Sequence, residues 1–123
     1  RCDENNLATA MLQDADSKHA LAVSYSARTL PRFILWKNTA DLSDGYVTGL
    51  EPATNFPNTR SYEASQDRVV QLQPDQTVSF RVTLDPLTDS ESVAAMTERI
   101  EKFAGDDAPT IQSVARPGWS PGA

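Results

Sequence analysis

The chain is poor in the residues that most often carry chemistry. Its 123 residues include one cysteine, Cys2, and one histidine, His19. A single thiol excludes an internal disulfide framework and any zinc cluster built on several thiolates. No Cys–His cluster, Ser/His/Asp order or Gly-rich phosphate loop is present. Basic residues are outnumbered, 11 Lys and Arg against 17 Asp and Glu, for a net charge of −6. That balance disfavours a nucleic-acid partner, which needs a basic face. No apolar run approaches the roughly 18 residues a membrane helix requires, so no membrane partner is expected. No signal-peptide pattern opens the chain, and it holds no Asn-x-Ser/Thr sequon. Together these absences fit an intracellular, cytoplasmic protein. The length allows one domain. The first residue is Arg1 rather than Met, which reads as a fragment, a processed product or a trimmed chain.

What is present is mostly strand signal. Leu7 to Leu12 is a short mixed run, and Gln13 to Lys18 is polar and Asp-rich like a turn. His19 to Tyr25 alternates, with Leu21, Val23 and Tyr25 on one face, so the two runs make a hairpin. Arg32 to Lys37 is apolar on both faces, which predicts burial on both. Asn38 to Gly45 reads as a loop. Ser61 to Asp67 reads as irregular, and Val69 to Leu72 as a short strand. Val78, Phe80, Val82 and Leu84 alternate with polar residues and give the strongest strand signal, expected to be half-buried. Hairpins of this kind belong to an antiparallel sheet. Thr88-Asp89-Ser90-Glu91 has capping-box spacing with Thr88 as the cap. Val93, Met96, Ile100 and Phe103 then recur at helical spacing, and Gly105 is a natural stop. Residues 106–123 read as an irregular tail whose loss should cost little stability, leaving residues 1–105 as the domain.

The chain is organised around residues 45–60. A strand through Tyr46, Val47 and Leu50 meets Pro52, which ends it near Glu51 or confines it to an edge. Pro57 and the turn-formers Thr54, Asn55 and Asn58 then hold a non-repeating loop up to Arg60. One carboxylate thus stands at a strand end, followed by amides and a guanidinium. A rigid scaffold carrying a polar loop is where binding and catalysis concentrate. The plainer reading is a strand followed by a solvated turn.

These residues carry a family resemblance. Leu35-Trp36-Lys37-Asn38 followed by Gly45-Tyr46-Val47-Thr48-Gly49-Leu50-Glu51-Pro52-Ala53-Thr54-Asn55 resembles the C-terminal part of aldose 1-epimerase-like (galactose mutarotase-like) proteins. The match is to a less-studied branch and runs from about Leu30 to Leu84. It implies a mainly β fold: the C-terminal part of an antiparallel β-sandwich, or supersandwich, with one C-terminal helix. It also implies isomerase chemistry at the anomeric carbon of an aldose, without a cofactor. Anomer interconversion needs a base for the anomeric hydroxyl and an acid for the ring oxygen. By resemblance Glu51 is the base. The family's acid is a histidine on sequence N-terminal to the matched part. His19 is a poor candidate, because a lone strand histidine is usually structural. The acid is therefore expected on sequence this chain does not contain; the expected partners are a missing N-terminal segment or a second copy of the chain.

Trp36 offers a flat apolar surface for a sugar ring, or packs in the core. Lys37, Asn55, Asn58 and Arg60 offer donors to sugar hydroxyls, or serve turns and surface. Asp41 and Asp44 lack the later glutamate of a calcium loop, so no metal site is expected. The rival to an epimerase is a carbohydrate-binding β-sandwich module that does not turn its sugar over. A purely structural β-domain is the third reading. The expected strands are too few to cover a doubly buried strand and a helix. The chain should therefore leave an apolar patch open, with Glu51 near its rim.

Overall fold

A computed structural model describes residues 1–105 and 110–122. The expected tail falls partly outside these residues, at 106–109 and 123. The chain divides into two compact units. The first joins Arg1–Thr29 to the chain from Phe80 through the long helix. The second joins Leu30–Ser79 to the residues from Thr110 on.

In the first unit, β1 (Leu7–Gln13), β2 (Ala20–Ser26) and β5 (Val82–Leu87) form an antiparallel sheet in the order β1-β2-β5. Asp14 closes the β1–β2 hairpin: its carboxylate accepts the Lys18 N–H at 2.8 Å and contacts His19 Nδ1 at 3.0 Å. The hairpin is as expected. The burial of its second strand is not simply alternating. As the central strand, β2 buries Ala22, Val23, Ser24 and Tyr25 on both faces, while Leu21 stays exposed. Small Ala22 and Ser24 suit a face covered by a helix; the Ser24 hydroxyl lies 2.9 Å from that of Thr9.

The long helix α2 (Ser90–Ala104) packs on β1. Its cap is Asp89, not Thr88: the Asp89 carboxylate accepts the Ser92 N–H at 2.8 Å. Asp caps as well as Thr and adds a negative charge at the positive end of the helix dipole, so it displaces the neighbouring candidate. Val93 is fully buried, and Gly105 ends the helix at φ +65°, which favours glycine.

The strand expected over 78–84 is displaced. β5 begins at Val82 and runs through Pro86, with Leu84 opposite Val23 and Pro86 opposite Leu21. Pairing with β2 sets this register, and an edge strand tolerates the proline. Val82 and Leu84, expected half-buried, are 46% and 60% exposed. On that face Leu12 stands opposite Leu21, and both are exposed.

In the second unit, β3 (Arg32–Lys37) pairs antiparallel with β4 (Thr48–Ala53). A 3-10 turn over Leu42–Asp44 joins them, capped by Asp41 and closed by Gly45. β4 starts at Thr48, so Tyr46 and Val47 lie before it and are exposed. Both strands of a two-stranded sheet are edges, which is why Pro52 can remain inside β4. The double burial expected of β3 does not occur. Phe33, Leu35 and Trp36 are exposed, because a two-stranded sheet cannot cover two faces. Residues 69–72 form no strand. Instead, the segment expected to be irregular contains a short helix, α1 (Arg60–Ser65). The fold class, antiparallel sheets with one long C-terminal helix, is the expected one.

Candidate functional site

Strand alternation sorts the expected site residues into faces. The β3–β4 register pairs Arg32 with Ala53, Ile34 with Glu51 and Trp36 with Gly49. These six residues share one face. Lys37, opposite Thr48, lies on the other with Leu35 and Leu50. The fold therefore brings Glu51 and Trp36 to the same surface and sends Lys37 to the opposite one.

Both partners on the shared face are accessible. Trp36 is 49% exposed, and Glu51 is exposed at its strand position. The Thr48 hydroxyl donates to the Trp36 carbonyl, tying the two strands at the turn end. Gly49 lies between the two candidates. A methyl built on it would overlap the Glu51 carboxylate, meeting Oε1 first and then Cδ at 3.0 Å. The carboxylate thus lies back over the glycine, on the side where Trp36 faces it across the ladder.

The loop after β4 is held by a residue that sequence reasoning missed. Glu63 on α1 is completely buried. Arg68 grips it with two bonds, Nε to Oε2 at 2.8 Å and Nη2 to Oε1 at 2.7 Å. Asn58 Nδ2 donates to Oε1 at 2.7 Å, and the Phe56 N–H donates to Oε2 at 3.1 Å. The Arg68 bonds, with those from Asn58 and Phe56, hold the Glu63 carboxyl down to about 2 against burial, which opposes ionisation. Arg68 also lies 5.2 Å from the Phe56 ring centre, and Arg32 lies 4.8 Å from it. The Trp119 ring stands 4.9 Å from Phe56. Asn58 Nδ2 also donates to the Trp119 carbonyl at 2.8 Å, and the Tyr62 hydroxyl donates to the Ser120 carbonyl at 3.0 Å. Residues 119 and 120 are therefore anchored, although no helix or strand occurs over 110–122. One sequence signal for Glu63 existed: a Glu and an Arg flanking a turn after an amide-rich loop. Nothing in that pattern distinguishes it from a surface pair.

This network spends donors expected to meet a sugar. Both Asn58 bonds go to Glu63 and Trp119. Asn55 Nδ2 donates to the Phe56 carbonyl at 2.8 Å, and its Oδ1 accepts from Thr54. Arg60 is the exposed first residue of α1. His19 is engaged by Asp14 at the hairpin turn. Among the described residues no group of three or more His, Cys, Asp or Glu side chains could hold a metal. A cleft of about 90 Å³ in the first unit, lined by Leu7, Thr9, Ile100 and Phe103, contains none of the expected site residues. No helix of the described residues is long and apolar enough to cross a membrane.

Comparison with known proteins places the chain in a family. A family model described as a domain of unknown function, DUF4432, matches residues 1–85. The chain is also similar to a crystal structure described as that of "a putative aldose 1-epimerase" from Klebsiella pneumoniae subsp. pneumoniae MGH 78578. The identity is 36% and the TM-score 0.83, over 94% of this chain. The match covers 30% of that protein's chain, so the present sequence spans about a third of its length. No curated protein matches. The chain belongs to the DUF4432 family, and it is aldose 1-epimerase-like in fold.

Proposed function

We propose that the chain supplies the base-bearing part of an aldose 1-epimerase-type isomerase. Glu51 takes the proton of the anomeric hydroxyl. An acid from sequence outside this chain protonates the ring oxygen as the C1–O5 bond breaks. The freed aldehyde end rotates, the ring recloses with the two proton transfers reversed, and the other anomer results. No electrons change hands, so no redox cofactor is required. The observation that carries this reading is the shared face of Glu51 and Trp36: an accessible carboxylate on the same face of the strand pair as an accessible indole. Sugars present apolar C–H faces to such rings while their hydroxyls meet charged groups. Arg60, exposed where the anchored loop ends, is assigned to a sugar hydroxyl. Lys37, Asn55 and Asn58 are better assigned to the opposite face and to loop structure. The single exposed thiol, Cys2, fits a cytoplasmic setting.

Glu51→Gln in the full-length protein keeps the shape and removes the base. The expected loss of mutarotation rate is about a hundredfold or more, with sugar binding retained. Polarimetry on a freshly dissolved aldose measures it. An undiminished rate would refute the assignment and favour the binding-module reading.

A further inference from the structure

We propose that Gly49 is a positioning residue: the missing side chain is the space in which the Glu51 carboxylate is held. This rests on the reading of Glu51 as the base.

Glycine inside a strand is costly relative to alanine, so its presence asks for a reason. Backbone conformation does not supply one. Gly45, Gly105, Gly118 and Gly122 have positive φ, whereas Gly49 does not and has the conformation of an ordinary strand residue. Space does supply one. Every one of the three atoms nearest to a methyl on Gly49 belongs to the Glu51 side chain: Oε1, Cδ at 3.0 Å and Cγ at 3.1 Å. No backbone atom is among them. Trp36 lies directly opposite Gly49 in the ladder, yet no Trp36 atom is among those three. The tightest limits on a side chain at 49 thus come from Glu51 and not from the indole. Residues two apart on a strand share a face, so the side chain at position 49 is the one that decides where the side chain at 51 can lie.

The consequence is selective. The obstructed group is the far end of a flexible side chain, which can swing away. An alanine at 49 would fit the strand, and the fold would lose nothing. The carboxylate would lose the position it takes over the glycine. A base displaced by an ångström loses the geometry its proton transfer needs, and losses of that kind reach about a hundredfold.

Gly49→Ala in the full-length protein tests this, with mutarotation rate, KM and Tm measured together and Glu51→Gln run alongside. The expected result is a kcat at least about tenfold lower, KM within about twofold of the parent, and Tm unchanged or slightly raised. A Gly49→Ala protein at parental kcat, beside an inactive Glu51→Gln, overturns the positioning role and leaves the base assignment standing. A fall in kcat accompanied by an equal loss of binding or by a lower Tm also overturns it, since the glycine would then be structural. Full activity in Glu51→Gln overturns the base assignment, and the positioning role with it.

Discussion

Arg68→Met is the change that most directly tests how the loop beside Glu51 is built. The substitution keeps an apolar stem of similar reach and removes the guanidinium. Glu63 is then left completely buried with two donors, Asn58 Nδ2 and the Phe56 N–H, and no opposite charge. Removing one member of a buried pair costs far more than the pair itself is worth, because the remaining charge stays desolvated. We expect a fall in Tm on the order of 10 °C in thermal unfolding followed by circular dichroism. The pH dependence gives the effect its sign. The Glu63 carboxyl titrates at about 2 when folded, below its ordinary value of 4.5. A depressed carboxyl contributes stability that is fully present above 4.5 and is lost as the pH falls toward 2. The gap between parent and variant should therefore be widest at neutral pH and close through that acid window. The double variant Glu63→Leu/Arg68→Met should lie closer to the parent than Arg68→Met alone, since it removes both charges. A Tm within two or so degrees of the parent, or a gap indifferent to pH, would refute the role assigned to this pair.

Two further outcomes follow from the packing. Trp119→Ala removes the ring stacked on Phe56 but leaves the backbone carbonyls in place, and should cost about 1–2 kcal/mol in denaturant unfolding. Val93→Ala removes two methyl groups from a fully buried site on α2, and should cost about 2 kcal/mol by the same measurement.

The parts of the fold legible in the sequence were those with a period. The β1–β2 hairpin showed its alternation, β3 its apolar run, and α2 its stripe of Val93, Met96 and Ile100 with Gly105 at the end. Misreadings arose where tertiary pairing overrode local pattern. Val78 and Phe80 alternate as well as Val82 and Leu84, yet only the latter pair with β2. Trp36 and Leu35 are as apolar as core residues, yet two strands alone leave them accessible. α1 was illegible because it has no apolar stripe: its one buried side chain is a carboxylate. Of the candidate site, Glu51 and Trp36 could be placed on one face only once the β3–β4 register was known, since a shift of one residue would have separated them.

The second unit holds two glutamates close in sequence, and their surroundings fit them for opposite duties. A general base needs an oxygen free to meet the substrate's proton and a proton affinity useful near neutral pH. Glu63 has neither. Arg68, Asn58 and the Phe56 N–H occupy its oxygens, and at about 2 its carboxyl is too weak a base for a sugar hydroxyl. What it has is rigidity, which it passes to the loop through Asn58 and Phe56. Glu51 stands at the other end of that loop, exposed, on a strand whose Gly49 leaves its carboxylate room to lie back on the face it shares with Trp36. Burial and saturated bonding make the first carboxylate a fixed point of the structure. Access and a cleared neighbouring position leave the second open to the base role proposed for it.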